Sequence, residues 1–254
     1  MPAVENEAWE RYLSGREADR FFELSDSGVS GEIYLPFERE YGLDNGLPVM
    51  MLIHGGGWTG GDRSLMRQLA AYFSSRGLIC INVSYPLAGK EGNTIEDCME
   101  GVRAAGDWVR GEGLRRGWDL ESFVVFGESA GGHLALSLGG ESGVSRYVLA
   151  NPVLNLSELL WVKNIPGVEG GERELSPMLW MNSDLPPTLI IHGSEDRTVP
   201  FKQVSDYKAR ADELGLDLEL VRLEGAPHAF MLGSRIEPER LRGLLDRIYQ
   251  FISN

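Results

Sequence analysis

The feature that most constrains this 254-residue chain is the run Gly127-Glu128-Ser129-Ala130-Gly131-Gly132. It follows the apolar stretch Phe123 to Phe126 directly and leads into the small-residue, helix-like stretch His133 to Gly139. A serine so placed sits at a strand-to-helix turn tight enough to require small neighbours, the sequence form of a nucleophile elbow. Glycine and serine also fill ordinary turns, so the run gains its weight from context: strand before, helix after.

Two other parts of the chain stand where such an elbow needs them. Upstream, the apolar run Val49 to Ile53 ends in His54-Gly55-Gly56-Gly57-Trp58, where missing side chains let backbone N–H groups approach a ligand. Downstream, Thr188 to Ile191 ends in His192-Gly193-Ser194-Glu195-Asp196, and Leu218 to Leu223 ends in Glu224-Gly225-Ala226-Pro227-His228. Serine, acid and histidine thus follow one another, each at the end of a strand-like run.

This arrangement resembles the α/β-hydrolase superfamily, and within it the serine esterases of the hormone-sensitive-lipase-like and small bacterial carboxylesterase groups. His54 to Trp58, Glu128 to Gly132, Asp196 and His228 carry the resemblance, which covers roughly residues 30 to 254, the usual span of one α/β domain. The stretch Asp196 to Gln203 is also similar to the catalytic domain of prolyl-oligopeptidase-type peptidases. The chain departs from many lipase-like relatives in its short segment between Pro152 and Pro186 and in lacking a long insertion before His54. Both departures argue against a large separate cap.

The hydropathy pattern predicts the same class. Strand-length apolar runs at Pro48 to Ile53, Leu78 to Val83, Phe123 to Phe126, Tyr147 to Ala150, Thr188 to Ile191 and Leu218 to Leu223 alternate with stretches of helical period. A last helix beginning near Pro238 repeats Leu241, Leu244, Leu245, Ile248 and Ile252 at three- and four-residue steps. Strands without inside/outside alternation, separated by helices, predict an α/β fold: a mostly parallel central sheet with helices on both faces and a small or absent cap. Ligands then bind at the carboxyl ends of the strands. The expected organisation is one domain over 1–254, with an N-terminal helical extension over 1–28 and a short lid-like segment over 153–186. Within the extension, residues 5 to 24 are expected to be helical, docked by Trp9, Tyr12, Leu13 and Phe21.

The resemblance implies roles. Ser129 would attack an acyl carbonyl, His228 would move its proton, and Asp196 would orient the imidazole. The backbone N–H of Ala130, with Gly56 and Gly57, would form the oxyanion hole. Of the four histidines, His54 is expected to hold the glycine loop by hydrogen bonds and His133, one helical turn past Ser129, to be packed or hydrogen-bonded. His192 closes the strand before the acid, which leaves His228. Glu195 and Asp184 rival Asp196, but Asp184 precedes its strand. Glu128 reads as a local hydrogen-bonding or structural carboxylate, Asp62 as a helix N-cap, and Tyr85 and Asp97 as packing residues. Trp58, Trp161, Trp180 and Phe230 stand equally for an aromatic substrate site and for core packing.

Composition limits the partners. Lys and Arg number 24 against 38 Asp and Glu, a formal charge of −14 that repels nucleic acid and anionic membrane. No opening signal sequence and no apolar run of ~18 residues is present, so a soluble, cytoplasmic protein without membrane insertion is expected. Cys80 and Cys98 suit reduced, buried thiols. Dispersed histidines, no CxxC and no phosphate loop predict catalysis without metal or cofactor. The expected function is hydrolysis of small-molecule, short- to medium-chain carboxylic esters through an acyl-enzyme. The alternatives are an amide hydrolase of arylformamidase or prolyl-oligopeptidase-like type and a non-catalytic ligand-binding relative. The sequence leaves homo-oligomerisation open.

Overall fold

Among the described residues eight strands form one sheet in the spatial order β1-β2-β4-β3-β5-β6-β7-β8. They are β1 (Arg20–Leu24), β2 (Val29–Tyr34), β3 (Pro48–Ile53), β4 (Ile79–Ser84), β5 (Asp119–Glu128), β6 (Arg146–Ala150), β7 (Thr188–Gly193) and β8 (Leu218–Leu223). β1 pairs antiparallel with β2 and β2 with β4, and every later pair is parallel. The structure, a computed structural model, describes residues 2–36, 46–139, 142–232 and 235–254, with 2–6 as backbone.

Successive side chains of a strand point to opposite faces, and the two cores follow that period. Val49, Met51 and Ile53 of β3 and Phe123 and Val125 of β5 lie in one core, packed against helices α3 (Ile95–Arg116), α4 (Ala130–Leu136) and α6 (Phe201–Glu213). Met50, Leu52, Val124 and Phe126 lie in the other, under α1 (Pro2–Ser14), α2 (Arg67–Ser75) and α7 (Pro238–Ser253). In α7 the apolar positions Leu241, Leu244, Leu245, Ile248 and Ile252 are the buried ones. The long α3 starts with Thr94 and Asp97 in a reciprocal capping box and stops at Gly117 in the left-handed conformation. Asp97 is thus a capping residue rather than a packing one. Asp62 caps a single 3₁₀ turn, Arg63–Met66, that leads into α2.

The N-terminal expectation is corrected. The helix ends at Ser14, and Arg20–Leu24 is an edge strand rather than the end of a helix to residue 24. Gly15, at φ +65°, breaks the helix, and the antiparallel ladder with β2 outweighs the helical pattern. Tyr12 docks, donating its hydroxyl to the Met231 carbonyl at 3.1 Å, but Leu13 and Phe21 are exposed. Phe22 takes Phe21's expected place by stacking on Trp108 of α3.

The segment from Val153 to Met181 runs over the carboxyl ends of the strands as 3₁₀ turns at Leu156–Glu158 and Leu160–Asn164 and one helical turn, α5 (Pro177–Trp180). Val153, Leu154, Leu156, Leu159, Val162, Val168 and Leu175 are buried in the first core. This cover is anchored along its length and builds no large cap. Cys80 and Cys98 are buried free thiols.

Candidate active site

Three strand ends converge on Ser129. β5 delivers it at φ 54° and ψ −118°, a conformation that L-residues seldom adopt, with the Ser129 N–H held by the Ala150 carbonyl at 2.9 Å. The requirement for small neighbours is steric: a Cβ on Gly131 would stand 2.2 Å from the Ile53 carbonyl oxygen. β3 ends in the glycine loop, where Gly56 has φ 122° and an added Cβ would meet the Gly60 oxygen at 2.1 Å. That approach folds the loop back on itself, while Gly55 lies against the elbow, where an added Cβ would stand 3.2 Å from Ser129 Cβ, and Gly55, Gly56 and Gly57 line the same cavity as Ser129.

β7 and β8 supply the polar line. His228 Nε2 lies 2.9 Å from Ser129 Oγ, and His228 Nδ1 lies 2.6 Å from Asp196 Oδ2. The other Asp196 oxygen accepts the backbone N–H groups of Thr198 and Val199, both at 2.9 Å. With Asp196 accepting throughout, the pattern assigns the ring proton to Nδ1 and leaves Nε2 to accept from the serine hydroxyl. Glu195 is exposed and its neighbour Asp196 is buried, so the histidine meets Asp196. Asp184 is also exposed, bonded to Ser183.

The remaining histidines are buried and bonded. His54 contacts the Gly55 carbonyl at 2.7 Å and stacks on Tyr85, whose hydroxyl donates to the His54 carbonyl at 3.0 Å. Tyr85 therefore anchors the glycine loop, beyond the packing role expected of it. His133 accepts from Trp58 Nε1 at 3.2 Å and donates to the Leu175 carbonyl at 2.8 Å, tying the glycine loop to the cover segment. Burial pulls the His133 imidazole down to about 4, with the Leu175 bond partly opposing, so the ring works as a neutral bridge. His192 donates to the Val199 carbonyl at 2.9 Å and stands 3.4 Å from Asp196 Oδ2, on a second side of the acid. Burial lowers its pKa as well. The sequence signal for His192, a histidine four residues before the acid, was visible, but only the β7 loop shows that the two side chains meet.

Glu128 departs from the hydrogen-bonding half of its expectation. It is 1% exposed, and neither carboxyl oxygen has a hydrogen-bond partner. By strand alternation its side chain follows Val124 and Phe126 of β5 into the α1/α7-side core, where the nearby Tyr12 hydroxyl is already committed to the Met231 carbonyl. Burial pushes the carboxyl up to about 8, with Arg235 opposing and Asp196 adding to the rise. Tyr12 is pushed up to about 12 by burial and by the charge of Glu128.

The cavity at Ser129 has a volume of about 320 Å³ and an almost wholly apolar lining that includes Leu65, Trp161 and Leu232. A larger polar groove of about 670 Å³, between Ser25–Gly28 and the start of α3, contains none of Ser129, Asp196 and His228. Of the four aromatic candidates only Trp161 is part of the Ser129 lining. Trp58 is fully buried behind it, with ring centroids 5.8 Å apart. Trp180 lies against His133 with Nε1 donating to the Glu174 carbonyl, and Phe230 is buried in the α7-side core. Each ring satisfies packing where its own loop meets a core, away from the cavity. Among the described residues no group of three or more His, Cys, Asp or Glu side chains is placed to hold a metal ion, and no helix is long and apolar enough to cross a membrane.

Comparison with known proteins agrees with this architecture. A sequence profile of the BD-FAE family matches residues 32–159. Esterase LipQ of Mycobacterium tuberculosis is 27% identical over 236 residues, covering 80% of this chain and 56% of LipQ. The probable carboxylic ester hydrolase LipM of the same organism is 27% identical over 220 residues, covering 74% of this chain and 50% of LipM. The chain thus spans about half the length of the curated relatives it matches. Thermogutta terrifontis esterase 2 phosphonylated by sarin superposes with a TM-score of 0.80 at 26% identity, covering 91% of both chains. The chain belongs to the BD-FAE family and has the α/β-hydrolase fold.

Proposed function

We propose that the chain hydrolyses short- to medium-chain carboxylic esters through an acyl-enzyme on Ser129. The observation that carries this reading is the continuous line Asp196–His228–Ser129, at 2.6 and 2.9 Å, opening onto a cavity beside the glycine loop. A serine hydroxyl is a weak nucleophile unaided. His228 Nε2 takes the Ser129 proton as Oγ bonds to the ester carbonyl carbon, and the carbonyl oxygen becomes an oxyanion held by the N–H groups of Gly56, Gly57 and Ala130. Collapse of the tetrahedral adduct breaks the bond to the alcohol oxygen, which leaves with the proton from His228. Water then repeats the sequence on the acyl-enzyme and releases the carboxylic acid. Asp196 orients the imidazole and stabilises its cationic form.

Chain length follows from the space available. Each buried methylene adds only ~0.8 kcal/mol, and only while cavity remains to receive it. A cavity of about 320 Å³ under an anchored cover therefore favours acyl groups of roughly two to six carbons. The solved forms of Thermogutta terrifontis esterase 2 with propionate and with butyrate bound support short acyl groups.

The test is a series of p-nitrophenyl esters from acetyl to decanoyl, run beside N-formyl aromatic amines and proline-containing peptides. The specificity constant should peak between two and six carbons, with amides far slower. Activity climbing steadily to decanoyl replaces the small-ester reading with a lipase one. Faster turnover of the formamides or peptides replaces it with an amide hydrolase.

A further inference from the structure

The hydrogen bonds around the acid loop form a path that begins and ends in the Ser129 cavity. Trp161 Nε1 donates to the Thr198 carbonyl at 3.2 Å. That carbonyl belongs to the Thr198–Val199 peptide, a planar unit whose N–H points the opposite way, and the Val199 N–H donates to Asp196 Oδ1 at 2.9 Å. Asp196 Oδ2 meets His228 Nδ1 at 2.6 Å, and His228 Nε2 meets Ser129 Oγ at 2.9 Å. Trp161, Thr198, His228 and Ser129 all line the one cavity, so a ligand there borders both ends of the path.

The cover segment sets the indole in this place. Leu159 and Val162 are buried in the first core, and the 3₁₀ turn Leu160–Asn164 that they anchor presents Trp161 to the cavity. The ring lies against Trp58 with centroids 5.8 Å apart, and a Cβ on Gly57 would stand 3.6 Å from Trp161 Cζ3. The ring thus rests on the glycine loop and carries its N–H to the acid loop. From the core side, buried His192 holds the Val199 carbonyl at 2.9 Å and stands 3.4 Å from Asp196 Oδ2. The Trp161 link comes from the cavity side. Trp161 is 37% exposed and Thr198 is exposed, so water reaches this link until a ligand covers it.

Resting on the ester-hydrolase reading above, we propose that Trp161 is a positioning residue for Asp196, and that an acyl group packed on its ring tightens the hold. An apolar group over the indole excludes water from the Nε1–Thr198 bond, and a hydrogen bond strengthens as its surroundings become less polar. The polarised Thr198–Val199 peptide is then a better donor to Oδ1, which keeps the carboxylate turned toward His228. The acyl group stays in the cavity through deacylation, so a longer one gains in kcat as well as in KM. An aromatic wall without a link to the acid would give that gain in KM alone.

The experiment compares p-nitrophenyl acetate and butanoate on wild type, on Trp161→Phe and on protein carrying benzothienylalanine at position 161, a tryptophan isostere with sulfur in place of the N–H. In the isostere kcat for the butanoate should fall about fivefold, the size of one hydrogen bond, with KM within about twofold of wild type and a smaller fall for the acetate. Trp161→Phe should follow the same trend. The downfield proton resonance of His228 Nδ1–H, recorded without ligand and with butanoate bound, should move upfield in both variants, and more so with butanoate. A kcat kept within about twofold on the butanoate, or a raised KM with kcat kept, overturns the proposal. So does an equal fall on both esters, or a fall with the resonance unmoved, which a merely structural role would give. If Trp161→Phe does not fold, the isostere decides alone. If wild type hydrolyses neither ester, the ester-hydrolase reading fails, and the resonance with and without butanoate still decides whether Trp161 holds Asp196.

Discussion

Glu32 and Glu128 are the same residue, both within the central sheet and both essentially inaccessible, and their surroundings are opposite. Glu32, on β2, bonds to Arg67 at 2.6 Å, ion-pairs with Arg63 at 3.3 Å and accepts from Tyr34 at 2.8 Å and Asn82 at 3.3 Å. Burial alone would raise its pKa, but the arginines and Tyr34 overcome that, and the carboxyl is held below its usual range. Glu128, at the end of β5, has no such partner, and burial raises it instead. Near the sheet edge, arginines reach in along their apolar stems while their heads stay partly wet, at 28% and 45% exposure for Arg63 and Arg67. At the carboxyl end of β5 no such arm reaches the acid, and both Glu128 carboxyl oxygens are sealed from solvent without a hydrogen-bond partner. Burial by itself does not decide the state of a carboxyl. What stands beside it does.

The comparison separates a buried acid tied into an ion network from one left without a partner, and it can be broken or sharpened at five points. The largest effect is expected at Ser129, next to Glu128 in the chain and the nucleophile of the proposed function. Ser129→Ala should lower turnover of p-nitrophenyl acetate by about 10⁶-fold and abolish labelling by a fluorophosphonate, with little change in thermal midpoint because alanine fits the same turn. Labelling at another serine would remove the cavity end from the comparison altogether. Asp196→Asn should cost about 10⁴-fold in kcat, as the corresponding change does in the serine-protease triad, while urea denaturation shows a fold close to wild type.

Glu32→Ala should do the reverse. We expect a loss of about 2–3 kcal/mol in urea denaturation, less than for a fully buried pair because both arginine heads can turn to water, with KM unchanged. A change in KM larger than in stability would show that the edge network also serves the site.

The two glutamates should also have opposite pH signatures. The folded pKa of Glu32 is depressed, so its contribution is present above its unfolded value and lost as pH falls through the folded one. The folded pKa of Glu128 is raised, so its contribution is lost as pH rises from its ordinary value near 4.5 to about 8. Glu128→Gln should therefore flatten a decline of a few kcal/mol in stability over that window, measured by denaturation at several pH values. An unchanged slope would place the carboxyl in water after all. The smallest effect is expected for Glu195→Gln, within about twofold in kcat/KM, since this exposed side chain is not the one that meets His228. A loss exceeding that of Asp196→Asn would exchange their roles.

Much of the site was legible because its chemistry is local. The elbow, the glycine loop and the acid and histidine each sit at the end of an apolar run, and the run alone sets where the strand stops. The helical stripe of α7, the runs that become β3 to β8 and their mostly parallel arrangement were legible for the same reason, while their spatial order was not. β1 and β2 were not: Arg20–Leu24 and Val29–Tyr34 are short and interrupted by charge and glycine, and they become strands only by pairing with each other and with β4.

The amino-acid order by itself therefore determined the class of fold, the turn that presents Ser129 and the sequence of groups that follow it, since these depend on local sterics and hydrophobic period. Only the tertiary structure decided that Asp196 rather than Glu195 reaches His228, that Trp161 borders the cavity while Trp180 and Phe230 pack cores, and that Glu128 stands without a partner. Those outcomes depend on which loops and helices share a space. Neighbours distant in the chain, such as Tyr12, Asp196 and Arg235 around Glu128, meet only in the tertiary fold.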